Sequence, residues 1–228
     1  MNIFSYESKF TQTLMSIADL MILNVLYLLC CIPVFTIGAA QAGLYTGIRV
    51  LQDKEDDSSP AKAFFKGFAD GFGRITLVWC IFAVVDALFV WLLSVISGLQ
   101  VQGSWAPVGI AVVALLIVLS FHALLPLFHS RIGCTPWQLV RNCWFLLFAH
   151  PIRCIVPIIA TWLPMGFLAL DSSGYFFIQF TPIWITLYFA TAYMFAFKAT
   201  NKPFRVLIDH YNEVNGIVPE ELPEETEE

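Results

Sequence analysis

The sequence predicts an all-α, polytopic membrane helix bundle with five transmembrane spans and short amphipathic cytosolic helices. Of its 228 residues, 58% are hydrophobic and only 13% are charged, whereas about 25% are charged in an ordinary soluble domain. The mean hydropathy is +0.74, and the chain contains 21 Phe and 7 Trp. One compact core cannot bury that much apolar surface, so the excess must face lipid.

The apolar residues fall into five runs of about twenty, the length that crosses a hydrocarbon core. The first run is the least regular, because its apolar character continues as far as Arg49. A helix over residues 17–48 would be about 48 Å long, so a break is expected at Pro33 or Gly38. A kink or a short helix along the inner surface would follow the break. The five predicted spans are 17–37, 75–97, 107–128, 152–170 and 180–197.

A cleaved secretory signal is the alternative interpretation of the first run. Residues 40–42 (Ala-Gln-Ala) are small enough to be a cleavage site. Asp19 and Asn24 interrupt the apolar region, however, and the segment before it is hardly basic. These features favour a span over a signal peptide.

Basic residues predict the orientation of the spans. Eleven of the twelve Lys and Arg residues lie in 49–74, in 129–153, or from 198 onward, while the connections 98–106 and 171–179 contain none. Because basic segments stay in the cytosol, the two long loops and the C-terminus are predicted to be cytosolic. Five spans then place the N-terminus outside and the C-terminus in the cytosol, and Lys9 is the exception to the pattern.

The chain divides into a membrane helix bundle over residues 1–212 and an acidic tail over 213–228. The last nine residues contain six Glu, whose six negative charges are more than the net charge of −5 of the whole chain. A proline-interrupted acidic segment has no core to join, so we expect a disordered cytosolic tail. The six cysteines form no CxxC pair, which argues against a zinc or disulfide framework.

The cytosolic segments repeat a pattern of cap, proline and aromatic residues. Ser59-Pro60 and Thr135-Pro136 are each typical of a helix start. The helices that follow either lie at the lipid interface or form a docking face for a partner, and the pattern leaves both open. The docking candidates are Phe64, Phe65, Lys66, Phe68, Phe72, Trp137, Arg141 and Trp144.

Four polar side chains interrupt the predicted spans. Asp86 lies twelve residues after Arg74, about 18 Å from the inner surface at helical rise, and His122 about 10 Å from it. Ionisable groups at such depth are candidate functional sites, here for proton-coupled transport. The alternative is a hydrogen bond to a neighbouring helix. Asp19 and Asn24, near the outer end, are expected at the interface or in helix contacts.

Motifs for catalysis are absent from the sequence. It contains no GxxxxGK[ST], HExxH or GxSxG, and its four histidines are scattered. We therefore predict no enzyme, no cofactor and no metal site. The membrane orientation already accounts for the basic residues, so no nucleic-acid binding is predicted. The Glu-Ala-Ala loop of ABC permeases is also missing, so the chain does not resemble the pore-forming subunit.

Residues 32–45 (IPVFTIGAAQAGLY), with 18–24 (ADLMILN) before them and 63–68 (AFFKGF) after them, resemble the YesL family. This is a bacterial family of small integral membrane proteins classed as a domain of unknown function. Its members are commonly encoded beside oligosaccharide ABC importers and glycoside hydrolases. The resemblance therefore implies a location in the bacterial plasma (inner) membrane. It also implies a carbohydrate-uptake context and ABC importer permease subunits as partners, and it supplies no catalytic residues.

These observations together lead to two expectations of function. The first is a non-enzymatic accessory subunit of a carbohydrate ABC import system, with the lipid bilayer as its surroundings and a homo-oligomer left open. The second is a small secondary transporter or proton-coupled permease that uses Asp86 and His122.

Overall fold

The structure is a computed structural model that describes residues 9–52, 59–98, 106–132, 135–170, 174–202 and 204. Within these ranges all regular structure is helical, which confirms the all-α class. The predicted acidic tail, 213–228, lies outside the described residues. The helices are α1 (Lys9–Cys30), α2 (Ile37–Gln52), α3 (Pro60–Gly98), α4 (Ala106–His129), α5 (Pro136–Ala149), α6 (Pro151–Leu170), α7 (Tyr175–Gln179), α8 (Thr181–Ile183) and α9 (Phe189–Ala199), with a 3-10 turn at Val34–Thr36 and a π-helical segment at Trp184–Tyr188.

Three of these helices, α1, α3 and α4, are long and apolar enough to cross a membrane. A fourth span is present if α5 and α6, which meet at an angle of 115°, cross as one broken unit. These helices are compatible with a multi-pass membrane protein. The last predicted span, 180–197, is divided between α8, the π-helical segment and α9, and the count of five spans stays a prediction.

The break expected after the first span is present, but the helix that follows does not lie on the surface. α1 ends at Cys30, and the Thr36 hydroxyl donates a hydrogen bond to the Cys30 carbonyl at 2.5 Å. α2 then runs back along α1 and brings Gly47 against Leu23. α2 is buried along nearly its whole length and contacts α1, α3, α4 and α9. The prediction of a surface helix here was wrong, because the small residues of α2 let neighbouring helices pack closely against it.

α2 and α3 pack antiparallel through small residues spaced four apart. On α2 these are Gly43 and Gly47, and on α3 they are Gly67 and Gly71. A Cβ atom at Gly43 would lie 2.8 Å from the Phe64 carbonyl oxygen. At Gly71 it would lie 3.3 Å from a side-chain carbon of α2. Small residues at this spacing let two backbones approach closely, as is common between membrane helices.

α3 is one continuous helix of 39 residues. At 1.5 Å per residue it is about 58 Å long, about twice the thickness of a hydrocarbon core. The predicted surface helix 60–74 and the predicted span 75–97 are therefore parts of a single element. No proline separates them, and the helix continues through Gly71 and Gly73.

The second predicted surface helix, α5, also belongs to the bundle. It starts where the sequence predicts, and the Thr135 backbone N–H donates to Gln138 Oε1 at 3.0 Å. Its buried residues face the core, and Trp144 stacks on Phe121 of α4 with ring centroids 6.1 Å apart. A short aromatic helix of this kind has the composition of an interfacial helix, but its apolar face here covers α4.

Replacing Gly43 with alanine should lower the stability of the protein. The new methyl group would meet the Phe64 carbonyl oxygen at 2.8 Å, and a backbone atom cannot rotate away. We expect a loss of about 1–3 kcal/mol in the free energy of unfolding, as for other overpacked sites. Thermal unfolding in detergent measures the effect.

Gly73→Ala on α3 is the matched control, because a Cβ atom there meets nothing within 4 Å. Alanine also favours a helix over glycine by about 1 kcal/mol, so this variant should be as stable as the wild type or more stable. An equal loss in both variants would contradict the importance of the close contact.

Candidate functional site: an intramembrane aspartate and histidine pair

The structure brings together two of the four polar residues that interrupt the apolar runs. α4 runs back along α3 and places His122 Nε2 2.6 Å from Asp86 Oδ2. The side chains are 3% exposed for His122 and 13% for Asp86. Each group therefore has a strong hydrogen-bonding partner at a depth where an unpaired ionisable side chain would be costly.

Aromatic side chains surround the imidazole of His122. The ring of Trp79 lies 4.9 Å from it, that of Trp162 5.9 Å and that of Phe82 6.4 Å, all edge-on. The Trp162 indole N–H donates to the Leu119 carbonyl at 3.0 Å, which fixes that ring. The enclosure shields the pair and holds it in one geometry.

The pair keeps unused hydrogen-bonding positions. Among the described residues, His122 Nδ1 and Asp86 Oδ1 are buried and have no partner. An imidazole and a carboxyl group that share one hydrogen bond can therefore still exchange a further proton at these atoms. Chemically, the arrangement suits either a fixed contact between helices or a proton-binding site.

Asn24 lies apart from the pair and connects α1 to residues 184–190, the π-helical segment and the start of α9. Its side chain is fully buried and donates to the carbonyls of Trp184 at 3.0 Å and Ile185 at 2.6 Å. Its oxygen accepts from the Ala190 N–H at 3.0 Å. These backbone groups belong to or follow the π-helical segment, where ordinary helical bonds are displaced. Asn24 thus makes the kind of helix contact expected for it, while half-buried Asp19 is not brought to the pair.

Sequence reasoning missed a second polar cluster. Gln41 Nε2 donates to the Tyr193 hydroxyl at 2.8 Å, and Thr161 Oγ1 lies 3.2 Å from the same hydroxyl. The ring of Tyr45 packs 5.0 Å from that of Tyr193. The cluster joins α2, α6 and α9. The available signal was a single glutamine within a run of small residues, which marks a buried polar contact.

The eight docking candidates are divided between the core and the surface. Phe64 is fully buried, and Phe68 is partly buried against the core. Their rings stack 6.4 Å apart, and Phe64 lies beside α2. Phe64 is therefore not available to a partner, which corrects the expectation for this residue, while docking by Phe68 stays a prediction. The exposed candidates are Phe65, Lys66, Phe72, Trp137, Arg141 and Trp144.

A metal site would need several ligand side chains together. Within the described part of the chain, no group of three or more His, Cys, Asp or Glu residues lies close enough to hold a metal ion. The five described cysteines form no disulfide with one another, and Cys134 lies outside the described residues.

The fold and the pair are compatible with a multi-pass, all-α membrane protein with an ionisable contact among its apolar helices. The family model described as "Protein of unknown function, DUF624" matches residues 20–95, about a third of the chain. DUF624 is the YesL family, so the resemblance is confirmed over this range, which includes α2 and most of α3. No curated protein and no solved structure matches the chain.

A double-mutant cycle should show that Asp86 and His122 stabilise each other. His122→Leu leaves the carboxyl group without its partner, and Asp86→Leu does the same to the imidazole, so each variant should be destabilised. The double variant should lose less free energy of unfolding than the two single variants together, and the difference, the coupling energy, should be about 1 kcal/mol. The free energy of unfolding in mixed micelles gives these values.

Ser120→Ala serves as the control for the cycle. Ser120 is buried on the same helix as His122, but its hydroxyl bonds to the Leu116 carbonyl of its own helix. When Ser120→Ala is combined with Asp86→Leu, the losses in free energy of unfolding of the two single variants should add. A coupling energy near zero between Asp86 and His122 would show that their contact contributes nothing to stability.

Proposed function

We propose that the protein is a non-enzymatic accessory subunit that packs against the permease subunits of a carbohydrate ABC importer in the bacterial plasma membrane. The length of α3 carries the proposal. If residues 75–97 cross the hydrocarbon core, residues 60–74 extend beyond it. In that extension Phe65 is 52% exposed and Phe72 46% exposed. Aromatic side chains outside lipid gain free energy when a partner covers them.

Charged residues surround these aromatic anchors. Lys66 lies beside Phe65, and on α5 exposed Arg141 lies one turn from Trp137, which is 77% exposed. Aromatic anchors within a charged rim are typical of protein–protein interfaces. The importer as the neighbour comes from the family resemblance, since members are commonly encoded beside oligosaccharide importers.

We also propose a cytosolic position for the start of α1. α1 is antiparallel to α2, and α2 is antiparallel to α3, since Gly47 contacts both Leu23 and Pro60. α1 and α3 therefore run in the same direction and begin on the same side. Lys9 then joins the other eleven basic residues, which makes the charge segregation complete. This arrangement replaces the external N-terminus expected from five spans.

Labelling of single cysteines in a cysteine-free background tests the orientation. Gly103→Cys should react with an impermeant reagent in intact cells, because its connection has no basic residue. Ser58→Cys and Ser8→Cys should react only after the membrane is permeabilised. Reaction of Ser8→Cys in intact cells would restore the external N-terminus, and shielding of Gly103→Cys would invert the whole topology.

Purification in mild detergent from the native cell tests the docking surface. Quantitative mass spectrometry should find importer permease subunits with the wild type. Phe65→Ala with Phe72→Ala should reduce their recovery by about tenfold or more, because buried aromatic anchors dominate binding energy. Lys66→Glu with Arg141→Glu should act in the same direction through the charged rim.

Trp91→Ala is the matched control for the aromatic variants. Trp91 lies on α3 as well and is 66% exposed, but within the predicted span. Its loss should leave the recovery of permease unchanged. Wild-type protein that elutes without any permease would contradict the accessory role, and an equal effect of Trp91→Ala would move the interface to the lipid-facing part of the bundle.

A proton-coupled permease is the second candidate function. The observation that favours it is the enclosed pair of Asp86 and His122, with unused positions on both groups. Reconstitution into liposomes with a trapped pH-sensitive dye distinguishes the two functions. A proton flux in the wild type that Asp86→Asn and His122→Leu both abolish would support the permease, and its absence in the wild type would leave the pair with a structural role.

A further inference from the structure

A cavity of about 870 Å³ opens at the end of the bundle where the basic residues gather. It lies between the C-terminal end of α2, the first turns of α3 and residues 129–131 at the end of α4. It is separate from the pair of Asp86 and His122, which does not line it. Its charged lining residues are Arg49, Lys62, Lys66, Arg131 and Asp70, with His129 beside them.

The four cations of this cavity form no ion pair with any carboxylate that the structure describes. In the described part of the chain, none of them has a carboxylate oxygen within 4.0 Å. Lys62 and Lys66 are exposed at the opening. The described lining residues thus carry four cations and one carboxylate, that of Asp70, and this set of side chains favours an anion.

Uncharged acceptors hold the two guanidinium groups in place. Arg49 donates to the Ser130 carbonyl at 2.9 Å. Arg131 donates to the Phe197 carbonyl at 2.6 Å and to Asn201 Oδ1 at 2.8 Å, and its buried Nε has no partner among the described residues. Burial lowers the pKa of the Arg131 guanidinium to about 9, which leaves it charged at neutral pH. The charges are therefore already positioned before any ligand arrives.

We propose that this cavity binds a phosphate-bearing anion, either the headgroup of an anionic phospholipid or a soluble phosphate ester. Arginine and lysine are the side chains that bind phosphate in proteins. Basic pockets between membrane helices on the cytosolic side recognise anionic lipid headgroups. The volume is that of a site for a small organic ligand rather than for one inorganic ion, and Val50 and Phe65 supply apolar wall beside the charges.

Binding to the purified full-length protein in a nonionic detergent tests the proposal without any importer present. The probes are short-chain phosphatidylglycerol, phosphatidylcholine of the same chain length, and glycerol phosphate. We expect phosphatidylglycerol to bind and phosphatidylcholine not to bind, with an affinity that falls as salt is added. Comparable binding of glycerol phosphate would assign the site to a soluble ester, and its failure to bind would assign it to the lipid headgroup.

Charge variants locate the binding within the cavity. Lys62→Gln with Lys66→Gln should weaken binding at least about tenfold, since each lysine near an anionic surface contributes about fivefold. Asp70→Asn should strengthen binding, because it removes the acidic residue of the lining. These side chains are exposed, so the variants should fold, and thermal unfolding verifies this.

Lys198→Gln with Lys202→Gln is the matched control, because both are exposed cations that do not line the cavity. This variant should bind phosphatidylglycerol as the wild type does. Equal weakening in the control would show general surface attraction and overturn the proposal. Failure of the wild type to bind either phosphatidylglycerol or glycerol phosphate would overturn it as well.

Discussion

Close contact between the backbones of α2 and α3 is the constraint on which the rest of the structure depends. In a bilayer, apolar side chains gain little by leaving lipid for protein, so helix association relies on close packing and on hydrogen bonds. Gly43 on α2 and Gly67 and Gly71 on α3 permit that packing. Because α2 is held this tightly, it becomes the central helix, and α1, α4 and α9 pack around it.

The two sites of the molecule inherit their geometry from this contact. The basic cavity has walls on α2 and α3, so its cations are set at a fixed separation by the spacing of the two helices. α4 lies along the same α3, where Phe121 stacks on Phe82 at 4.8 Å and brings His122 opposite Asp86. Polar contacts then fix how far one helix is shifted along another, which apolar contacts leave unspecified. The hydrogen bond between Gln41 and Tyr193 does this for α2 and α9.

Local pattern predicted the features that depend on local chemistry. The span 107–128 corresponds to α4, and the helix starts at Pro60 and Pro136 follow their capping residues. The continuity of α3 was not predicted, because the basic residues up to Arg74 resemble a membrane boundary although they do not end a helix. The buried position of α2 was not predicted, although glycines spaced four apart in α2 and in α3 are visible in the sequence and favour close packing of two helices.

Contacts between distant parts of the chain could not be read from the sequence. Asp86 and His122 were each expected to contact some neighbouring helix, but they are 36 residues apart, and nothing local indicates that they meet. The bond between Gln41 and Tyr193 joins residues 152 positions apart. Such contacts depend on the order in which helices pack, which a single sequence does not state.

The π-helical segment Trp184–Tyr188 marks a place where the chain length of the last helix can change. A π-helical turn contains one residue more than the α-helical turn that it replaces, and the helix on either side keeps the same buried and exposed faces. Removing one residue within this segment would restore a regular helix and keep Phe197 over the guanidinium of Arg131, 3.8 Å from it. Removing one residue within α9 would instead rotate Phe197 by about 100°. A regular helix would also use the carbonyls of Trp184 and Ile185 that now accept from Asn24. Homologous chains that lack one residue in this segment should therefore also lack a buried asparagine at the position of Asn24.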